Sequence, residues 1–121
     1  MEFKFYKCNV CNMIVDKIVE NGASIKCCGE EMKVLVPNSV DASAEKHVPT
    51  YEKVEDEIYV TVNHPMEKEH YIEWIMLVKE NKKYKVELYP EQKAECRFKY
   101  IPGSTLYAYC NKHELWTKTV E

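Results

Sequence analysis

Tyr71-Ile72-Glu73-Trp74-Ile75-Met76-Leu77-Val78 decides the fold class. The run is apolar at nearly every position and far shorter than the ~18 residues of a membrane span, so it reads as a strand buried on both faces. Downstream, Lys83-Tyr84-Lys85-Val86-Glu87-Leu88-Tyr89 alternates, which puts Tyr84, Val86 and Leu88 on one face. Residues 58–62, 96–100 and 105–109 follow the same pattern. Turn signals separate these runs: Asn63-His64-Pro65, Asn81-Lys82, Pro90-Glu91 and Pro102-Gly103. Short strands at this spacing predict an all-β sandwich or barrel. Only residues 39–46 look capable of a helical turn. Trp74 is expected in the core on the face of Ile72, Met76 and Val78. Cys96, alternating with Phe98 and Tyr100, is expected to be a buried thiol, and Trp116 and the tyrosines to be packing residues.

The chain has 121 residues, enough for one domain or for a small domain plus a metal-stapled module. Its 20 acidic and 17 basic residues give a net charge of -3, which argues against a nucleic-acid binder. Met1 to Lys7 contains no apolar signal region, and no stretch suits a membrane span. The expectation is a cytoplasmic protein with no membrane contact. In a reducing compartment, cysteine clusters bind metal or react more often than they form disulfides.

Four of the six Cys lie in residues 1–36, and all four His lie in residues 37–121. Pro37-Asn38-Ser39 marks the expected joint between two domains, 1–36 and 37–121. Cys8-Asn9-Val10-Cys11 is a CxxC, and Cys27-Cys28-Gly29 follows it. Adjacent strand residues point to opposite faces, so Cys27 and Cys28 need a turn to aim at one metal, and Gly29 supplies one. Four thiolates suit a tetrahedral iron or zinc site, and the spacing leaves the metal open. A disulfide pair or four unrelated thiols is the competing reading. His47, His64, His70 and His113 each fall at the end of an expected element, and His113 closes a CxxH with Cys110. Loops at one pole of a sandwich can converge. If these do, four imidazoles and one thiolate exceed the four ligands of structural zinc and better suit an iron with an open sixth position.

The chain resembles desulfoferrodoxins, the two-iron-centre superoxide reductases. The resemblance is carried by Tyr6-Lys7-Cys8-Asn9-Val10-Cys11, Cys27-Cys28-Gly29-Glu30, Glu45-Lys46-His47-Val48-Pro49, His64-Pro65-Met66-Glu67, His70-Tyr71-Ile72-Glu73-Trp74 and Tyr109-Cys110-Asn111-Lys112-His113-Glu114-Leu115-Trp116. It implies a desulforedoxin-like (rubredoxin-type) domain with a four-thiolate iron on Cys8, Cys11, Cys27 and Cys28. An immunoglobulin-like β-sandwich would follow, with a second iron on His47, His64, His70 and His113 and an axial Cys110. Glu45 would be a sixth ligand of the ferric form, and Lys46 the neighbouring catalytic cation. The implied reaction is one-electron reduction of superoxide to hydrogen peroxide, with a rubredoxin-type donor and a homodimeric protein. Three positions depart from the family pattern: Asn12 and Glu114 stand where Gly is usual, and Glu31 where Pro is common. Two other functions compete: an electron carrier using only the four-cysteine centre, and a zinc-stabilised binding module.

Overall fold

A computed structural model describes residues 4–121; Met1, Glu2 and Phe3, part of the N-terminal reading, lie outside the described residues. The chain forms two compact units, Met1–Val36 and Pro37–Glu121.

The first unit has five two-residue strands: β1 (Tyr6–Lys7), β2 (Ile14–Val15), β3 (Lys26–Cys27), β4 (Glu30–Glu31) and β5 (Lys33–Val34). β1 is the centre of a three-stranded antiparallel sheet ordered β2-β1-β5, and β3 pairs with β4 in a hairpin. The hairpin turns through Cys28 at φ 53° and Gly29 at φ 80°. Two successive positive φ values are those of a type I′ turn, whose twist matches the flanking strands. The described core of this unit is small: Phe5, Cys8, Met32 and Leu35 are its buried apolar residues.

The second unit holds the helical turn α1 (Ala44–His47) and seven strands: β6 (Thr50–Val54), β7 (Glu57–Thr61), β8 (Ile72–Lys79), β9 (Lys82–Glu87), β10 (Glu95–Lys99), β11 (Thr105–Cys110) and β12 (Glu114–Thr119). They form two antiparallel sheets ordered β10-β7-β6 and β12-β11-β8-β9. Ile58, Val60 and Phe98 of one sheet and Ile75, Leu77, Leu106 and Ala108 of the other share one buried cluster, so the sheets pack face to face. The protein is therefore all-β. No described helix is long and apolar enough to cross a membrane.

Several local expectations need correction. Helix forms only at the end of the expected 39–46 segment, over Ala44–His47, which puts His47 itself on the turn. β6 and β12 carry no expected strand. β6 is an edge strand with only Tyr51 partly buried, so it lacks the hydrophobic alternation that marks a strand in sequence. Tyr84 is exposed, because β9 is also an edge strand, whereas Leu88 just beyond it is buried.

Trp74 does not share the core face with Ile72. Cys110 pairs with Ile72 while Tyr109 pairs with Trp74, so an irregularity in the ladder leaves Glu73 as an extra residue. Such a bulge shifts the side-chain alternation by one position. Ile72 consequently joins Ile75 and Leu77 in the core, while half-buried Trp74 stacks on Tyr109 at 5.7 Å. Cys96 is half-buried against the core rather than fully enclosed, and burial still pushes its thiol up to about 12.

Candidate metal centres

In the first unit the Sγ atoms of Cys8, Cys11, Cys27 and Cys28 all lie within 4.8 Å of one another. Two loops bring them together. The Cys8 carbonyl accepts from Asn12 N–H at 2.9 Å, and Cys8 N–H donates to the Met13 carbonyl at 2.9 Å, closing a knuckle around the CxxC. Asn12 sits at φ 66°, the left-handed region that Asn tolerates better than most residues. The type I′ turn at Cys28-Gly29 delivers the second pair.

Cys11 and Cys27 sulfurs are 3.6 Å apart, and Cys27 and Cys28 sulfurs 3.7 Å. A disulfide needs about 2.05 Å, and all six cysteines are free. A tetrahedron with metal–sulfur bonds of ~2.3 Å has edges of about 3.8 Å, so the spacing fits a four-thiolate metal site. Without a cation the thiols share their protons unequally. Backbone N–H groups of Cys11 and Val10 lower Cys8 to about 7, whereas hydrogen bonding with Cys8 and Cys11 raises Cys27 to about 12. A metal cation removes this conflict by favouring every thiolate at once.

In the second unit, donors of His47, His64, His70, His113 and Cys110 form one group within 4.8 Å. His47 arrives on α1, His64 and His70 from the connection between β7 and β8, and Cys110 and His113 from the end of β11 and the turn into β12. The rings form a closed circuit. Successive centroids lie 4.7 Å (His47–His64), 4.6 Å (His64–His70), 4.9 Å (His70–His113) and 4.8 Å (His113–His47) apart.

The inward nitrogens are His47 Nε2, His64 Nε2, His70 Nε2 and His113 Nδ1. His47 and His113 are separated by 3.1 Å, and His70 lies 3.2 Å from both His64 and His113. The centre of a square with such sides lies about 2.2 Å from each corner, close to the ~2.0–2.1 Å of a metal–imidazole bond. Cys110 Sγ adds a fifth donor 3.4 Å from His64 Nε2 and 3.8 Å from His113 Nδ1.

The tautomers suit ligation. His47 Nδ1 donates to the Ser43 carbonyl at 2.7 Å and His64 Nδ1 to the Pro65 carbonyl at 2.5 Å, so each neutral ring aims a lone pair inward. Burial lowers His47 and His70 and brings His64 to about 4, which keeps the rings uncharged at neutral pH. Burial raises Cys110, opposed by the backbone N–H groups of Lys112 and His113.

Glu45 and Lys46 are exposed on α1, two residues and one residue before His47, and the Glu45 carboxylate is not among the five grouped donors. Cys96 joins neither group. Trp116 does more than pack. Its ring stacks on His47 at 4.8 Å, and its Nε1–H donates to the His113 carbonyl at 2.9 Å, so one side chain touches two of the four histidines. The only hint in the sequence is its position three residues after His113.

The desulfoferrodoxin family model matches residues 39–119. A desulfoferrodoxin of Syntrophotalea carbinolica is 42% identical over 120 residues, covering 96% of this chain and 95% of its own. A desulfoferrodoxin of Nitratidesulfovibrio vulgaris is 40% identical and covers 95% and 94%. Among solved structures, the superoxide reductase of Treponema pallidum superposes with a TM-score of 0.75 at 28% identity, over 98% of this chain and all 100% of that one. A four-cysteine group and a four-histidine, one-cysteine group in one chain match the two iron centres of a desulfoferrodoxin. Donor sets, fold and likeness over nearly the whole length agree, and this chain belongs to the desulfoferrodoxin family.

Proposed function

We propose that this protein is a superoxide reductase, which takes superoxide, one electron and two protons to hydrogen peroxide without releasing oxygen. The observation that carries this reading is the closed circuit of four imidazoles with Cys110 beside it, one donor more than a structural zinc site takes, a set that would suit an iron open to a small substrate. His47, His64, His70, His113 and Cys110 would hold iron there, and that iron would supply one-electron redox chemistry. Cys8, Cys11, Cys27 and Cys28 of domain 1–36 hold the second iron, and domain 37–121 is the reductase domain.

The chain's own groups have three tasks. The Nδ1 bonds of His47 and His64 keep both rings neutral and oriented. Lys46, one residue before His47, draws an anionic substrate toward a protein whose net charge of -3 repels it. Its ammonium is also a source of a proton for the product. Glu45 is the candidate sixth ligand of the oxidised state; its position two residues before His47 puts it on the same exposed turn.

The electron comes from rubredoxin or a similar small donor. We also read the protein as cytoplasmic and as a homodimer; the dimer is supported by six exposed apolar side chains among the described residues of the first unit: Val10, Met13, Ile18, Val19, Val34 and Val36. Metal analysis, a visible spectrum and a superoxide assay test the function together. The expected result is two irons per chain and one hydrogen peroxide per superoxide consumed. Iron at the four-cysteine centre alone leaves an electron carrier, and zinc alone leaves a binding module.

A further inference from the structure

Asn111 lies between Cys110 and His113, yet its side chain is directed at a different segment. Its Oδ1 accepts the Tyr71 N–H at 3.0 Å, its Nδ2 donates to the Glu69 carbonyl at 3.0 Å, and its own backbone N–H donates to the Tyr71 carbonyl at 3.2 Å. These bonds bracket His70 on both sides. The backbone of His70 is already engaged, in a reciprocal pair of bonds with Glu67 at 3.0 and 3.2 Å. The regular β8–β11 ladder breaks one step away, between Tyr109 and Cys110. The Asn111 amide therefore takes over where backbone pairing falters.

We propose that Asn111 is a positioning residue for the second metal centre. It locks the His70 segment to the Cys110–His113 loop, so that His70 Nε2 stands 3.2 Å from both His64 Nε2 and His113 Nδ1 before any metal arrives. The inference rests on the reading of this cluster as a metal centre and adds a residue that ligates nothing. Its physical basis is pre-organisation: His70 comes from a loop, and a loop ligand held by two side-chain bonds loses less freedom when metal binds. Outer-shell groups of this kind typically change metal affinity by about 10–100-fold.

The test measures ferrous-iron affinity at the second centre of the full-length protein by chelator competition, together with the thiolate-to-iron band after oxidation. Asn111→Ala is expected to weaken iron binding about tenfold and to shift the band. Asn111→Asp keeps the acceptor for Tyr71 but loses the donor to Glu69, so its affinity should fall between those of wild type and Asn111→Ala. In a His70→Ala background, Asn111→Ala should change affinity less than about twofold, because its effect is carried by His70. Wild-type affinity and an unmoved band in both Asn111 variants would overturn the proposal. An equal loss with and without His70 would also overturn it, because that marks a general structural role. A wild-type second centre that took up no iron would bring down the metal-centre reading first, and this inference with it.

Discussion

Glu114 occupies a backbone position made for glycine. Its φ of 63° lies in the left-handed region, which costs a side chain with a Cβ about 1 kcal/mol, and the residue opens β12 opposite Cys110. Glu114→Gly trades that strain against the greater freedom of glycine in the unfolded chain. The expected outcome in thermal unfolding is a stability equal to wild type or higher by about 0.5 kcal/mol. Lys46 answers to a kinetic measurement instead. Lys46→Ala should slow the second-order reaction with superoxide about tenfold at low ionic strength and less at high salt, with the iron spectrum nearly intact. An unchanged rate at low salt would remove Lys46 from the mechanism.

At the scale of elements, β12 supports the second centre while contributing no ligand. Trp116 is only 2% exposed, and its two contacts join the His47 turn to the His113 turn. Trp116→Phe keeps an aromatic ring but removes the donor to the His113 carbonyl. Iron should then leave the second centre for a chelator roughly tenfold faster, with the four-thiolate spectrum unchanged. β8 shows why element-level reading goes astray near the site. Its periodicity put Trp74 on the core face with Ile72, and one bulged residue separates them, leaving Ile72 in the core and Trp74 half-buried outside it. Bulges gather beside functional sites because they re-aim the chain, and a strict two-residue period cannot anticipate them.

At the scale of the molecule, the two units differ in what sustains them. The second buries a broad two-sheet core, whereas the first buries few apolar residues beside its four-cysteine group. Removing metal from the four-cysteine group should therefore unfold the first unit while the second stays folded, read as protection from amide hydrogen exchange lost in residues 4–36 alone.

The metal-free second unit should in turn be acid-sensitive. Burial lowers His64 from 6.5 to about 4, so between those values the unfolded chain binds the extra proton. Stability is full above about pH 6.5 and falls as pH drops toward 4; His47 and His70 act in the same direction. Thermal unfolding of the apoprotein from pH 7 to pH 4 checks this, and a flat profile would contradict it.

Much of this was legible in one dimension. CxxC, Cys-Cys-Gly and CxxH are local groupings, and their chemistry follows from residue type and spacing. The apolar run 71–78 declared a buried strand because it is too short for a membrane span and sits among turn-bounded runs of strand length. The resemblance, too, rested on ligand motifs in order along the chain. Tertiary structure decided what depends on contacts between distant segments: that four histidines from three segments close into one circuit, that Trp116 and Asn111 brace them, and that Glu45 stands outside the donor group. The edge strand β6 also escaped, because a strand with little burial leaves little pattern. Spacing records only what a residue does with its chain neighbours, whereas a five-donor site and its supports are set by the packing of two sheets.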